Sequence, residues 1–415
     1  VELRLLTDAD ADASTLMSHL AFGMPSGAPA AFAIGPDVRR WGIFDGNTLA
    51  AKANERTYDS MVGGRRVSTA GVAGVAVAPE YRGTGLARQV MTHLFGAARE
   101  RGAVIVTLFR TAPALYRSLG FEQVAELVYG EFPTSALRGL RPRTTALRRA
   151  TPADGRAIRA VYATIAATGS CLLTRDGPAF EISDERLVGS FDGVTLAIDE
   201  WGDVVGYLSW NRGSGYDESA ALTVVDLLST TGDGYAALLS AIGAFDAVTP
   251  TVRIRTSGQD PMHWVIPGAG WKVREVRPYM LRVIDFAGAV AARGWPPGLA
   301  GEVVLDVEDP LCPWNTGRHR LVLEYGTGRV DLAGTPGTSA PVTDAAEAEI
   351  AGQEGTAALQ AAAPRITPGG LAVLFAGGVP VSTLRRGGLV TGSDRFDTLL
   401  DAAFAGPTPA VLDYF

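Results

Sequence analysis

Cysteine is nearly missing from these 415 residues: Cys171 and Cys312 are the whole supply, in distant segments. They make neither a disulfide framework nor a zinc spacing, so a reducing, cytoplasmic setting is expected. Four histidines, His19, His93, His263 and His319, are scattered singly, which argues against a histidine metal site. Positive charge is also short, with a net charge of −7 and a pI near 5.3. That argues against nucleic acid as a main partner and is compatible with cationic small molecules. No apolar run is long enough to span a membrane. The opening Val1-Glu2-Leu3-Arg4-Leu5-Leu6-Thr7-Asp8 lacks a basic region followed by an apolar core, so no signal peptide is expected.

What is there belongs to a globular protein, with 47% apolar and 20% charged residues over a length that suggests two or three domains. One stretch organises the chain: Val75-Ala76-Val77-Ala78-Pro79-Glu80-Tyr81-Arg82-Gly83-Thr84-Gly85-Leu86-Ala87-Arg88. A short apolar strand ends at Pro79, and a tight turn carries Gly83 and Gly85. A helix then starts at Leu86, with apolar positions at Val90, Met91, Leu94 and Phe95 and a stop at Gly102. Such a turn aims unpaired amides and the positive helix end at one point, a ready site for a phosphate or pyrophosphate. Neither the three-glycine dinucleotide fingerprint nor a Gly-Lys-Ser/Thr loop is present.

The stretch resembles the acyl-CoA pyrophosphate loop of the GCN5-related N-acetyltransferases (GNAT), Arg/Gln-x-x-Gly-x-Gly/Ala, here Arg82 to Ala87. The resemblance implies that Val75, Ala76 and Val77 hold the pantetheine arm of acetyl-CoA. It assigns Gly83, Thr84, Gly85, Leu86, Ala87 and Arg88 to the pyrophosphate, with Thr111 and Ala112 near the arm. Tyr116, in a short helix bracketed by Pro113 and Gly120, carries the Tyr-x-x-x-Gly-Phe spacing that recurs there, ending at Phe121. A phenol with an ordinary pKa of about 10 suits an acid better than a base at neutral pH. Packing of the helix on the sheet is its other possible role. Glu55, Asp59 and Glu80 cannot be placed from sequence as bases.

Taken in order, Leu3 to Leu6 reads as a strand. A helix capped by Thr7 or Asp8 follows, with apolar Leu16, Met17 and Leu20. Phe22 to Pro36 is a loop or broken helix, either a pocket wall or a plain connection. Trp41–Phe44 and Thr48–Asn54 form a hairpin, and Val104 to Leu108 a β-branched strand. A second segment repeats this plan: a hairpin at 194–198 and 204–210, a strand at 222–228, a helix at 235–245 and a strand at 252–256. Its turn, Ser229 to Gly234, lacks an arginine and carries Asp233, which would repel a pyrophosphate. The second segment therefore reads as a duplicate that has lost its cofactor site. A helix at 285–294, paired strands at 302–307 and 318–325, and apolar helices at 345–362 and 367–376 complete the chain.

This three-part layout is similar to the Eis (enhanced intracellular survival) N-acetyltransferases. Ser257-Gly258-Gln259-Asp260-Pro261, Ala291 to Trp295 and Leu399 to Phe404 support the likeness. It implies an α/β protein with mixed sheets (α+β): two tandem GNAT-like domains, then a sterol-carrier-protein-like domain. The expected bounds are 1–137, 138–288 and 289–415. The family also implies that the terminal carboxylate, here on Phe415, accepts the substrate proton, that the acceptor is a small-molecule amine, and that the assembly is a hexamer. Relatives that acetylate aminoglycosides use an acidic pocket. Here the corresponding stretches read Phe22-Gly23-Met24 and Arg274-Glu275-Val276-Arg277, and Arg277 would disfavour a polycation. A non-catalytic protein that binds or senses acyl-CoA is the rival class.

Overall fold

The computed structural model describes residues 1–23, 37–266, 270–332 and 363–415. Contacts divide the chain into two units. Residues 1–124, 280–409 and 415 make the first, and 125–279 with 410–414 make the second.

The first unit opens with β1 (Glu2–Leu5), α1 (Ala11–Phe22), β2 (Val38–Asp45), β3 (Thr48–Val62), β4 (Arg65–Val77), α2 (Leu86–Glu100), β5 (Ile105–Phe109) and α3 (Pro113–Ser118). The strands lie side by side in chain order, antiparallel up to β4. β4 and β5 run parallel, which forces the crossover through α2. Leu86, Val90, Met91, Leu94, Phe95 and Ala98 recur at helical spacing and are all buried. They meet the sheet face made by Ala70, Val72, Val106 and Leu108, in one core. Each large side chain buried there contributes about 1.5–3 kcal/mol.

Later residues of the same unit form α8 (Phe286–Ala292), β13 (Ala300–Val307), β14 (Gly317–Glu324), β15 (Thr327–Leu332), β16 (Pro364–Ile366), α9 (Pro368–Ala376), α10 (Val381–Arg386), β17 (Val390–Gly392) and α11 (Asp397–Ala403). Their sheet has the order β15-β14-β13-β16-β17. α9 is apolar on every side and buried from Gly369 to Ala376, with Thr367 capping its first turn.

Elements β6 (Glu122–Pro133) and β12 (Lys272–Val283) each contain a unit boundary. Between them the second unit has β7 (Ala146–Arg149), α4 (Gly155–Ala167), α5 (Asp184–Gly189), β8 (Gly193–Ile198), β9 (Val204–Asn211), β10 (Ala221–Ser229), α6 (Gly232–Gly243), β11 (Thr251–Thr256) and α7 (Met262–Val265). Here β6-β11-β10-β9-β8-β7 are neighbours in that order. Again one parallel pair, β10 and β11, spans a helix, α6, whose Leu238, Leu239 and Ile242 pack with Leu222, Val224, Val252 and Ile254.

The expected repeat of hairpin, strand, helix and strand is therefore present in both units, with α5, among the described residues, an added element of the second. Two expectations, the segment from Met24 to Pro36 and the helix at 345–362, lie outside the described residues. Within α1 only Met17 of the three apolar residues is buried; Leu16 and Leu20 are exposed beside Val77 and Pro79. Sequence periodicity shows that residues share a face, not that the face is covered.

Candidate active site

β4 and β5 pair only from Thr69 to Val72 and Ile105 to Leu108. Beyond Val72 the register of β4 against β3 shifts, and Gly74 there has φ +59°. This bulge adds a residue to β4 and bends it away from β5. The left-handed backbone calls for glycine there, and a Cβ would also press on the Asn54 side chain, 2.7 Å from its Nδ2. Ala78 N–H donates to Ala50 O over 2.9 Å, and Ala76 pairs with Lys52. By strand alternation Val75 and Val77 aim their amides and carbonyls the other way, into the opening beside β5.

The loop after β4 is exposed from Arg82 to Gly85 and internally tied, with Thr84 Oγ1 donating to Tyr81 O over 2.6 Å. Tyr81 Oη in turn donates to Asp45 Oδ2 over 2.9 Å. Gly83 and Gly85 have φ of +80° and +85°, and a Cβ on either would meet no protein atom within 4 Å. Gly85 is the N-cap of α2, with no side-chain cap. The first-turn amides of Leu86, Ala87 and Arg88 have no carbonyl four residues earlier in the helix. They are donors at the positive helix end, beside a loop whose glycines leave it open to an anion.

Past the end of β5 come Thr111 and Ala112, both exposed, then α3 with Tyr116. Tyr116 is 5% exposed and edge-on to Phe121, ring centroids 5.9 Å apart. Burial raises its pKa above the ordinary phenol value, and a hydrogen bond with Thr111 opposes the rise only in part. The hydroxyl therefore holds its proton at neutral pH. Gly120, with φ +83°, serves a second purpose: Arg282 Nη1 lies 1.7 Å from where its Cβ would be. That guanidinium is fully buried, donates to Asp309 Oδ1 over 2.6 Å and lies over the Phe95 ring.

Phe415 stands edge-on to Tyr58 (5.1 Å) and to Phe109 (5.5 Å). Tyr58 reaches from β3 across Gly71 of β4, where any Cβ would collide with its ring, to within 3.4 Å of Thr107 Oγ1 on β5. The segments 75–88 and 111–116 thus lie at and beyond the C-terminal ends of β4 and β5, and the Phe415 ring meets Phe109, the last residue of β5. Of the acids left unplaced, Glu55 is buried and occupied by Arg101 and Trp41, Asp59 pairs with Arg66, and Glu80 is exposed.

The equivalent place in the second unit is differently furnished. The register of β10 shifts between Val224 and Asp226, the counterpart of the β4 bulge. Yet Asp226 there accepts from Arg255 on β11 (3.1 Å) and from Arg175 (2.6 and 3.0 Å), so side chains occupy the opening. The helix end is closed too. Thr231 Oγ1 accepts from Gly234 N–H, and the Asp233 carboxylate accepts the amides of Arg143, Thr144 and Thr145.

Sequence reading missed Gly74, Tyr58, Phe109 and the Arg175 cluster. A glycine inside a strand pattern was the one available signal, for the bulge.

Comparison with known proteins agrees with this layout. Profiles described as acetyltransferase (GNAT) domain match residues 2–124 and 172–283, and one described as sterol carrier protein domain matches 286–412. An uncharacterized N-acetyltransferase of Streptomyces coelicolor is 29% identical over 299 residues, 67% of this chain and 70% of the relative. The crystal structure of a GCN5-related N-acetyltransferase from Kribbella flavida superposes with a TM-score of 0.80 at 29% identity, covering 100% of this chain and 98% of that one. Eis1 from Mycobacterium abscessus, at 20% identity, shares the fold, with a TM-score of 0.74 and full coverage of both chains. The chain is an acetyl-CoA-dependent N-acetyltransferase built from two GNAT acetyltransferase domains followed by a sterol carrier protein domain.

Proposed function

We propose that the chain is an Eis-type enzyme that acetylates an amine of a small molecule, an aminoglycoside or another polyamine, by direct transfer. Bound acetyl-CoA supplies an activated acetyl thioester. Val75 and Val77 bind its pantetheine arm through backbone groups at the opening beside β5, with Ala76, Thr111 and Ala112 alongside. Gly83, Thr84, Gly85, Leu86, Ala87 and Arg88 form the phosphate cradle. The carboxylate of Phe415 takes a proton from the attacking amine as the C–N bond forms. Tyr116 gives its proton to the departing thiolate as the C–S bond breaks. The second GNAT domain binds no cofactor, and the chain assembles as a cytoplasmic hexamer.

The observation that carries this reading is the uncapped N-terminus of α2 beside a strand that has parted from its parallel neighbour. Tyr116, raised by burial, supports the acid. The net charge of −7 suits a cationic acceptor. Arg277 is matched to Glu275 and lies 4.2 Å over the Tyr414 ring, so its charge is partly spent. The test is release of CoA thiol with aminoglycosides, polyamines and lysine peptides. Turnover with at least one amine supports the reading. Saturable acetyl-CoA binding with no turnover on any amine would favour a sensor.

A further inference from the structure

The second unit holds a cavity of about 570 Å³ that has no part in the reaction proposed above. Its size is that of small-molecule sites. The walls are apolar, from Ile158, Phe180, Ile182, Leu187, Phe191 and Val225. Four charged groups converge at one end: Arg175, Arg255, Asp226 and Asp413, with the hydroxyl of Tyr207 on Asp226. Two guanidinium groups there balance two carboxylates, so this end carries no net charge.

The lining elsewhere carries an excess of positive charge. Arg156, Arg159 and Arg186 line the cavity and are exposed. Arg159 is held by Asp184 and the Ile182 carbonyl. Among the described residues no carboxylate pairs with Arg156 or Arg186. Asp176 also lines the cavity, accepting from the Thr174 hydroxyl. Three guanidinium groups thus stand against two carboxylates, Asp176 and the Asp184 that holds Arg159, and the excess is one positive charge. An apolar chamber with two unpaired guanidinium groups at its edge selects a ligand that is greasy at one end and anionic at the other. An amine would meet like charge, and an alcohol would leave both forks without a charged partner.

We propose that this cavity binds a small amphiphilic carboxylate, its hydrocarbon body against the apolar walls and its carboxylate on Arg156 and Arg186. The site is separate from the phosphate cradle of the first GNAT domain and does not depend on the identity of the acceptor amine.

Calorimetric titration of the full chain with decanoate, decanol and decylamine, all below their aggregation thresholds, tests this. Decanoate is expected to saturate a single site, with decanol at least tenfold weaker and decylamine weaker still. Ala163 lines the cavity from the exposed side of α4, so Ala163→Trp fills the chamber without touching the core. That variant and the double variant Arg156→Gln/Arg186→Gln are each expected to weaken decanoate at least tenfold, with acetyl-CoA binding unchanged. Equal binding of the three probes, no saturable binding, or full decanoate affinity in both variants would overturn the proposal. Full affinity would place the decanoate elsewhere, for example in the sterol carrier protein domain. Should Ala163→Trp fail to fold, the double variant, which alters only exposed residues, decides alone.

Discussion

Arg175 and Asp413 are joined by two hydrogen bonds, Nε to Oδ1 at 2.9 Å and to Oδ2 at 3.1 Å, although 238 positions separate them. The same guanidinium turns its other face to Asp226 and lies 4.0 Å over the Tyr162 ring. Its backbone has φ +52°, a conformation that costs a non-glycine residue about 1–3 kcal/mol and persists only where the surroundings enforce it. Around it the segment 410–414 is docked: Ala410 N–H donates to Ser170 O, and Val411 and Leu412 are buried. Burial works to raise the Asp226 carboxyl, but Arg175 and Arg255 outweigh it and hold its pKa below the usual carboxylate range.

This clamp lies two residues before Phe415, so loosening it is expected to cost catalysis more than binding. Asp413→Asn keeps Asp226 on Arg175 and is expected to lower kcat by about 10–100-fold while the KM for acetyl-CoA stays within about twofold. Faster removal of Phe415 by carboxypeptidase reports the released tail independently of activity. Arg175→Met leaves the part-buried Asp413 carboxylate without its guanidinium and the buried Asp226 with Arg255 alone, and is expected to destabilise the fold by about 3–5 kcal/mol, read from denaturant unfolding.

The two loop glycines separate binding from folding. No protein atom occupies the space beside Gly83 or Gly85, so a side chain there meets mainly its own backbone and any ligand. Gly85→Val is expected to weaken acetyl-CoA at least tenfold in a direct binding assay. Thermal stability is expected to fall by only about 1–2 kcal/mol, the cost of a left-handed backbone with a side chain.

Lys52 gives a pH signature. Its Nζ is buried on β3 and donates to Ser14 O (2.6 Å), Ser14 Oγ (2.9 Å) and Ser18 Oγ. Burial, with the nearby charge of Arg40, lowers its pKa from 10.5 to about 8. Below pH 8 folded and unfolded chains both carry the proton, and the cost of burying it is constant. Between about pH 8 and 10.5 only the unfolded chain binds it, so the native state gains stability as pH rises. The gain is roughly 3 kcal/mol over that window. Lys52→Met is expected to abolish this rise, as measured by urea unfolding at pH 7, 8, 9 and 10.

Much of the first site was legible because it is local. Arg82 to Arg88 is one continuous segment, α2 shows its buried face at helical spacing, and Gly120 marks the end of α3. The duplication was legible for the same reason: strand, turn, helix and strand recur in the same order. Contacts between remote positions were not. Nothing in the neighbourhoods of residues 175, 226, 255 and 413 announces a shared cluster. Tyr58 and Phe109 lie just past the strands read from sequence at 48–54 and 104–108, and nothing around them points to Phe415 until its ring is placed against them. The short strands β16 and β17, three residues each, carry too little alternation to be seen.

The central claim is that Tyr116 and the Phe415 carboxylate share the proton transfers. The most direct measurement compares CoA-thiol release by the native chain, by Tyr116→Phe, and by a chain extended with one glycine after Phe415. Acetyl-CoA binding is measured alongside for all three. The account predicts kcat losses of about 10²–10⁴-fold in both variants with binding retained. Native turnover in the extended chain would remove Phe415 from the mechanism, and native turnover in Tyr116→Phe would reduce Tyr116 to a packing residue.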